Sequence, residues 1–249
     1  MRFPAVPVLC VLLVAFMASR SPASDERASS STTLQLEPPK GAIVLFDGSD
    51  FRAWQPFSFL KINPRDNQEQ IQWQLVDGRA MQIALEHEGR RRRQFLCTRD
   101  RFGSYRLHLE FRLPADGGAG NSGLFFGPLY ELQILDSAAT PHAGLTDCGA
   151  IYQIRKPDRN AALPPGRWQT IDLEYTAAGF DKDGDRMESK SARVSVRLNG
   201  VLIHDDVTLA LRRNKYAAFP EEPLSPIVLQ EHGSPVQFRN IWLVEQRGD

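Results

Sequence analysis

A surplus of charge of either sign is missing from this 249-residue chain, in which 30 lysines and arginines balance 30 aspartates and glutamates. Without a basic surplus there is no general electrostatic pull toward nucleic acid or an anionic membrane, so polyanionic partners are not expected. Cysteine is scarce as well, with three in the whole chain. Cys10 falls in an N-terminal apolar run, and neither Cys97 nor Cys148 has a second cysteine or histidine at zinc-ligand spacing, which argues against a structural zinc site. Whether Cys97 and Cys148 pair stays open, because a disulfide needs their Cα atoms within ~4.4–6.8 Å. Segments with a convincing 3.6-residue period are missing too, and so are internal repeats.

What the chain does have begins with an export signal. Arg2 supplies a positive start, residues 8–18 an apolar run well short of the ~20 residues that cross a bilayer, and Ser21-Pro22-Ala23 a small-residue cleavage site. Residues 1–23 therefore read as a signal peptide, which places the mature chain in the periplasm or outside the cell with no membrane span once the signal is removed. Residues 24–40 are small, polar and end in Pro38-Pro39, the composition of a flexible lead-in. A single domain over residues 41–247 follows. It is punctuated by turn dipeptides, Asp47-Gly48, Asp77-Gly78 and Asn199-Gly200, and its apolar segments are short and often alternate, as in residues 105–113. About a dozen short strands without helices specify an all-β fold, an antiparallel sandwich of two packed sheets.

Two charged features carry no assigned role. The four arginines at 90–93 read as a solvated loop ahead of a hydrophobic strand. Asp181, Asp183 and Asp185 have part of the spacing of a calcium loop but lack the closing bidentate glutamate, so a solvated loop is the stronger reading.

The informative stretch is residues 121–137, two strands joined at Gly127-Pro128, where Asn121, Glu131, Gln133 and Asp136 stand among apolar neighbours. Strand parity puts Glu131 and Gln133 on one face and Leu132 and Ile134 on the other, so the polar pair points away from the main core. Glu131 and Asp136 do not suit a conventional glycosidase pair. Five residues of extended strand span ~16 Å and an odd separation reverses the face, whereas such carboxyls work at ~5–9.5 Å. Near the other end, Gln230 and His232 share strand parity before a Gly-Ser-Pro turn, and a histidine can accept a proton near neutral pH.

Leu45-Phe46-Asp47-Gly48, Asn121-Ser122-Gly123, Tyr130-Glu131-Leu132-Gln133-Ile134-Leu135-Asp136, Gly149-Ala150-Ile151-Tyr152, Pro165-Gly166-Arg167-Trp168-Gln169-Thr170, Leu198-Asn199-Gly200-Val201 and the run from Gln230-Glu231-His232-Gly233 to Arg239-Asn240-Ile241 together resemble the 3-keto-disaccharide hydrolase domain family. The resemblance covers about residues 41–245 and implies a concanavalin-like or laminin-G-like sandwich in an exported bacterial protein that processes sugars. Two positions depart from the family pattern: an arginine usual after the Asn-Ser-Gly strand is replaced by Phe126-Gly127-Pro128, and the usual asparagine after Trp168 is Gln169. The joint occurrence of the Glu131-x-Gln133 strand and the Gln230-x-His232 turn makes Glu131, His232 and Asp136 the candidate catalytic residues, with Glu131 or His232 as base and Asp136 orienting the histidine or holding a divalent cation, the one cofactor considered. Asn121, Gln133, Tyr152, Gln230 and Arg239 are the candidate substrate-binding residues. The implied partner is a carbohydrate, and the implied reaction is hydrolysis of the glycosidic bond of a 3-keto-disaccharide or 3-keto-glucoside. A rival reading is a non-catalytic carbohydrate-binding or adhesion module, with Trp54, Tyr130 and Tyr152 stacking on sugar rings.

Overall fold

The computed structural model describes residues 33–57, 70–76, 79–86, 94–116, 120–127, 130–209 and 222–246. The signal-like residues 1–23, the arginines at 90–93, the Asp77-Gly78 turn and Pro128 lie outside them. Among the described residues no helix is long and apolar enough to cross a membrane.

Among the described residues the thirteen strands are β1 (Ile43–Phe46), β2 (Trp54–Phe57), β3 (Gln74–Val76), β4 (Ala80–Gln82), β5 (Phe95–Thr98), β6 (Tyr105–Arg112), β7 (Ser122–Phe126), β8 (Tyr130–Ile134), β9 (Trp168–Thr176), β10 (Ala192–Leu198), β11 (Val201–Leu209), β12 (Val228–Leu229) and β13 (Gln237–Glu245). They form two antiparallel sheets. The larger runs β11-β10-β9-β6-β13-β4-β3, with β1 paired to β13, and the smaller runs β2-β5-β12-β7-β8. The all-β sandwich expected from the turn spacing is the fold observed.

Alternation decides what fills the space between the sheets. In β6, Leu107, Leu109 and Phe111 are buried in the same cluster as Ile171 and Leu173 of β9 and Phe238 of β13. That cluster also takes in Leu96 of β5, Leu124 and Phe126 of β7, and Leu132 and Ile134 of β8. Each such side chain contributes about 1.5–3 kcal/mol when fully buried. Asn240, at φ 46°, forms a bulge in β13 that turns both Ile241 and Leu243 inward, with Trp242 between them facing out. Trp54 lies inside the core, its Nε1 donating to the Leu45 carbonyl at 2.8 Å.

Residues 33–40 fall in the segment read as a flexible lead-in, yet side chains of the larger sheet hold them against its outer face. Thr33 Oγ1 donates to Asp172 at 2.6 Å, and Asn240 Nδ2 and Trp242 Nε1 donate to the Leu36 carbonyl at 3.0 and 3.2 Å. The composition of this segment is indeed that of a linker. Its docking depends on polar side chains of β9 and β13, which lie far away in sequence.

The Asn199-Gly200 turn behaves as its dipeptide requires, with φ of 53° and 79°. Asn199 does more than supply the turn angle. Its Oδ1 accepts from Thr170 N at 3.0 Å, and its Nδ2 donates to Ala161 O and Gln169 Oε1 at 2.8 and 3.1 Å. Asn199→Gly keeps the turn conformation but removes all three bonds and leaves a buried amide unpaired. It should cost about 2 kcal/mol in chemical denaturation, whereas a loss below about 0.5 kcal/mol would mean that the turn angle is the whole role of this residue.

Candidate active site

The register of the smaller sheet assembles the site. In the β7–β8 pair, Gly123 stands opposite Gln133 and Phe125 opposite Glu131, while Leu124 and Leu132 point into the core. Gly123, Phe125, Glu131 and Gln133 therefore share the outer face. β12 lies along the other side of β7, and Gln230 just past its end donates its backbone N–H to the Gly123 carbonyl at 2.9 Å. Gln230 Nε2 then donates to Glu131 Oε1, also at 2.9 Å. The Glu131 carboxyl reaches Gln230 by lying over Gly123, where a Cβ would collide with Oε1. Here glycine is required by close approach, since a side chain would occupy the space that the carboxyl uses.

The free side of β8 gains a further edge from residues 149–152. Gln133 N donates to Ala150 O at 2.9 Å, Gly149 N to Gln133 O at 2.8 Å and Tyr152 N to Glu131 O at 2.8 Å. Ile151 bridges Leu132 and is buried in the core, so alternation turns half-buried Tyr152 to the Glu131 face. Asn121 completes this face, its Oδ1 3.5 Å from Gln133 Nε2.

Glu131 is only 5% exposed although it faces away from the core. Burial pushes its carboxyl up to about 7, and the Gln230 N–H restrains the rise only in part. The carboxyl thus changes charge near neutral pH. Gln230 Oε1 is buried beside it with no hydrogen-bond partner, an uncommon and costly arrangement for a buried acceptor. Glu231, next in the chain, accepts from Gly233 N at 2.6 Å and shapes the turn.

The structure brings Asn121, Glu131, Gln133, Tyr152 and Gln230 together and sets Arg239 apart from that cluster. Asp136 is exposed past the end of β8, and His232 is exposed in the turn after β12. Arg239 departs most. It lies on the outer face of the larger sheet, where its Nε donates to Glu110 Oε2 at 2.7 Å and its guanidinium stands 4.0 Å over Trp168. Parity along β13 sends Arg239 to the opposite side of the sandwich, so it is no neighbour of Glu131. Trp54 and Tyr130, considered as stacking surfaces for a sugar, are buried in the core, and of the three aromatics only Tyr152 keeps partial exposure.

No group of three or more His, Cys, Asp or Glu able to hold a metal ion occurs among the described residues, so Asp136 has no such ligand set around it there. Asp181 Oδ1 accepts from the N–H groups of Asp183 and Asp185, both at 2.9 Å. Cys97 and Cys148 are both buried free thiols, each pushed up to about 11 by burial. Gln169, the departure at the asparagine position, is fully buried and exchanges hydrogen bonds with both backbone groups of Leu163, at 2.8 and 3.2 Å. It holds a loop and takes no part in the Glu131 cluster.

Alternation alone did not reveal one polar network. His108 sits on the charged face of β6 but is fully buried beneath the 33–40 segment side of the sheet, stacked on Trp242, with Nδ1 2.7 Å from Asp172 Oδ1. Burial alone would depress its pKa, but Asp172 and Glu110 outweigh that and raise it. Burial likewise opposes ionisation of Glu110, and the nearby His108 ring, 3.7 Å away, together with hydrogen bonds from Asn240, Arg239 and the Gln35 backbone, overcomes it and brings the carboxyl to about 2. The partners come from β9, β13 and the lead-in, and no local pattern announces them.

The chain belongs to the 3-keto-α-glucoside-1,2-lyase-like domain family, whose sequence profile matches residues 41–244. Among solved structures it is similar to a protein of Parabacteroides distasonis, provisionally named a glycosyl hydrolase, with 30% identity, 84% of this chain and 85% of that chain covered, and a TM-score of 0.68. A second provisional glycosyl hydrolase of that organism has 20% identity, covers 83% and 94% of the two chains, and reaches a TM-score of 0.58, a likeness of fold. No curated protein matches the chain.

The raised Glu131 pKa has a consequence for stability. A carboxyl at about 7 in the folded chain and ~4.3 when unfolded binds more protons folded than unfolded between those values, so its contribution to stability falls as pH rises through that window. Glu131→Gln removes the titration, and a glutamine amide can also donate to the unpaired Gln230 Oε1. Relative to the parent, the variant should gain in melting temperature at pH 8 and show little difference at pH 4. An equal shift at both pH values would contradict the assignment.

Proposed function

We propose that the protein cleaves the glycosidic bond of sugars oxidised at C3, with Glu131 as the base. The observation that carries this reading is a buried carboxyl poised at about 7 beside an unpaired amide oxygen. A C3 ketone acidifies the neighbouring C2–H. The Glu131 carboxylate takes that proton, the C2–H electron pair forms the enolate, and the enolate collapses to expel the C1 substituent, which leaves with a proton. Water then adds at C1 and a proton returns to C2. The net change is hydrolysis, achieved without a second carboxyl flanking the bond.

A base for this step works best when its pKa lies near the working pH, and burial of Glu131 supplies that match. The N–H groups of Gln230 and Gln133 and of Asn121 are suited to hydrogen-bond sugar hydroxyls or the developing enolate oxygen. Exposed His232, close in sequence to Gln230, is a candidate to protonate the leaving group, and Asp136 a candidate to orient it. The family membership supports a carbohydrate substrate, and the 3-keto form is our extension of it. The signal read at residues 1–23 places the reaction in the periplasm or outside the cell under this proposal.

A binding module without catalysis fits less well. Trp54 and Tyr130 are consumed by the core, and binding alone gives no reason to hold a carboxyl at about 7.

Incubation with 3-keto-trehalose or 3-keto-lactose and detection of free sugar tests the proposal. Activity should rise with pH on a limb near 7, and Glu131→Gln should lower kcat at least about 100-fold, the low end of what a general base contributes. Unchanged turnover in both Glu131→Gln and His232→Ala would overturn these roles, and binding of unoxidised glycans with no cleavage of either 3-keto sugar would favour the binding module.

A further inference from the structure

Tyr152 reaches the site on residues 149–155, a segment outside the thirteen strands that meets β8 through the backbone bonds of Gln133, Gly149 and Tyr152 already described. Behind it stands His204 of β11, fully buried. The β10–β11 register pairs Arg197 with Leu202 and then Val196 with His204, and this irregularity leaves Ile203 and His204 both buried.

The ring of His204 is committed on both sides. Nε2 lies 2.7 Å from the Gly149 carbonyl, which can only accept, so Nε2 carries the proton and donates. Nδ1 lies 2.6 Å from Arg155 Nη1, which can only donate, so Nδ1 is the bare acceptor. Arg155 is held in turn by Asp158, at 2.8 Å from Nη2. One neutral imidazole thus ties down residue 149 and residue 155, with Tyr152 between them.

We propose that neutral His204 is a positioning residue for the candidate site, holding Gly149 and Arg155 so that Tyr152 and the outer edge of β8 stay beside Glu131, and that acid releases this edge by protonating Nδ1. A proton on Nδ1 faces a guanidinium N–H, so two donors and two like charges meet where one hydrogen bond stood. The charged groups that face the ring are Arg155 and Asp158 of the 149–158 segment, while β10 presents Val196 opposite it. Burial, supported by Arg155 and opposed by the Gly149 carbonyl and Asp158, lowers the pKa of His204. A histidine with a lowered folded pKa contributes fully above its unfolded value and loses that contribution as pH falls toward the folded one. The clamp is therefore intact at neutral pH and opens on the acid side.

Only the kinetic arm of the test rests on the proposed function. Amide hydrogen exchange at Gln133, Gly149 and Tyr152, expressed as protection relative to intrinsic rates, is followed from pH 8 to pH 4 together with KM for a 3-keto-glucoside. In the parent protein, protection at these amides should fall as His204 titrates, and KM should rise about fivefold, the factor that one hydrogen bond is worth. His204→Gln offers a neutral donor and acceptor in place of the ring, and in this variant protection and KM should stay level on the acid side. Protection that is level with pH in the parent, or that falls equally in His204→Gln, overturns the proposal. The parent titration decides the matter even if the variant does not fold. Acid-dependent protection without turnover at any pH supports the clamp and sinks the proposed reaction, whereas turnover with level protection does the reverse.

Discussion

The contact from Gln230 Nε2 to Glu131 Oε1 is the interaction on which the smaller sheet's outer face depends. Three separate segments must meet for it to form. β8 supplies the carboxyl, the end of β12 supplies the amide, and β7 between them supplies a residue with no side chain. The same crowding that permits the contact removes water from it, and loss of water is what shifts the carboxyl toward neutrality. Packing and acid–base behaviour at this site therefore share a single cause. The cost is a carboxyl whose ionised form is poorly solvated, a destabilising feature that a purely structural position would have little reason to keep.

The two faces of the sandwich treat buried charge in opposite ways. On the larger sheet, Glu110 has the guanidinium of Arg239, the amide of Asn240 and a backbone N–H around it, and it is held ionised far below neutral pH. That network closes on itself and fastens the 33–40 segment. On the smaller sheet, burial raises the Glu131 carboxyl to about 7 against the pull of one amide donor. A carboxyl saturated with donors is a fixed anion, and one with a single donor remains free to exchange a proton. The difference in donor number separates a carboxyl held as an anion from one that can exchange a proton.

Much of this was legible in the sequence. Period-two alternation fixed which way Glu131 and Gln133 face, because Leu132 and Ile134 must go to the core, and the turn dipeptides announced the sandwich. Parity paired Gln230 with His232, but the placement of β12 beside β7 is what brings Gln230 to Glu131. It failed where it was not applied across sheets: Arg239 belongs to a strand of the other sheet, and nothing in its neighbours' types reveals that. The composition of residues 33–40 concealed docking that depends on Asp172, Asn240 and Trp242. His204 carried no local signal either, since an irregular strand register rather than alternation turns it inward. Long-range partners and register irregularities are products of tertiary structure, which a one-dimensional pattern does not encode.

Under the proposed function, Glu131 removes the C2 proton of a 3-keto sugar before the glycosidic bond breaks. The most direct measurement is NMR of the sugar released from a 3-keto-glucoside in D2O, with Glu131→Gln as the control for exchange that needs no base. Deuterium should appear at C2 of the released sugar at a rate set by the parent protein and be lost in the variant. Release of sugar that retains its original hydrogen at C2 would contradict the proposal.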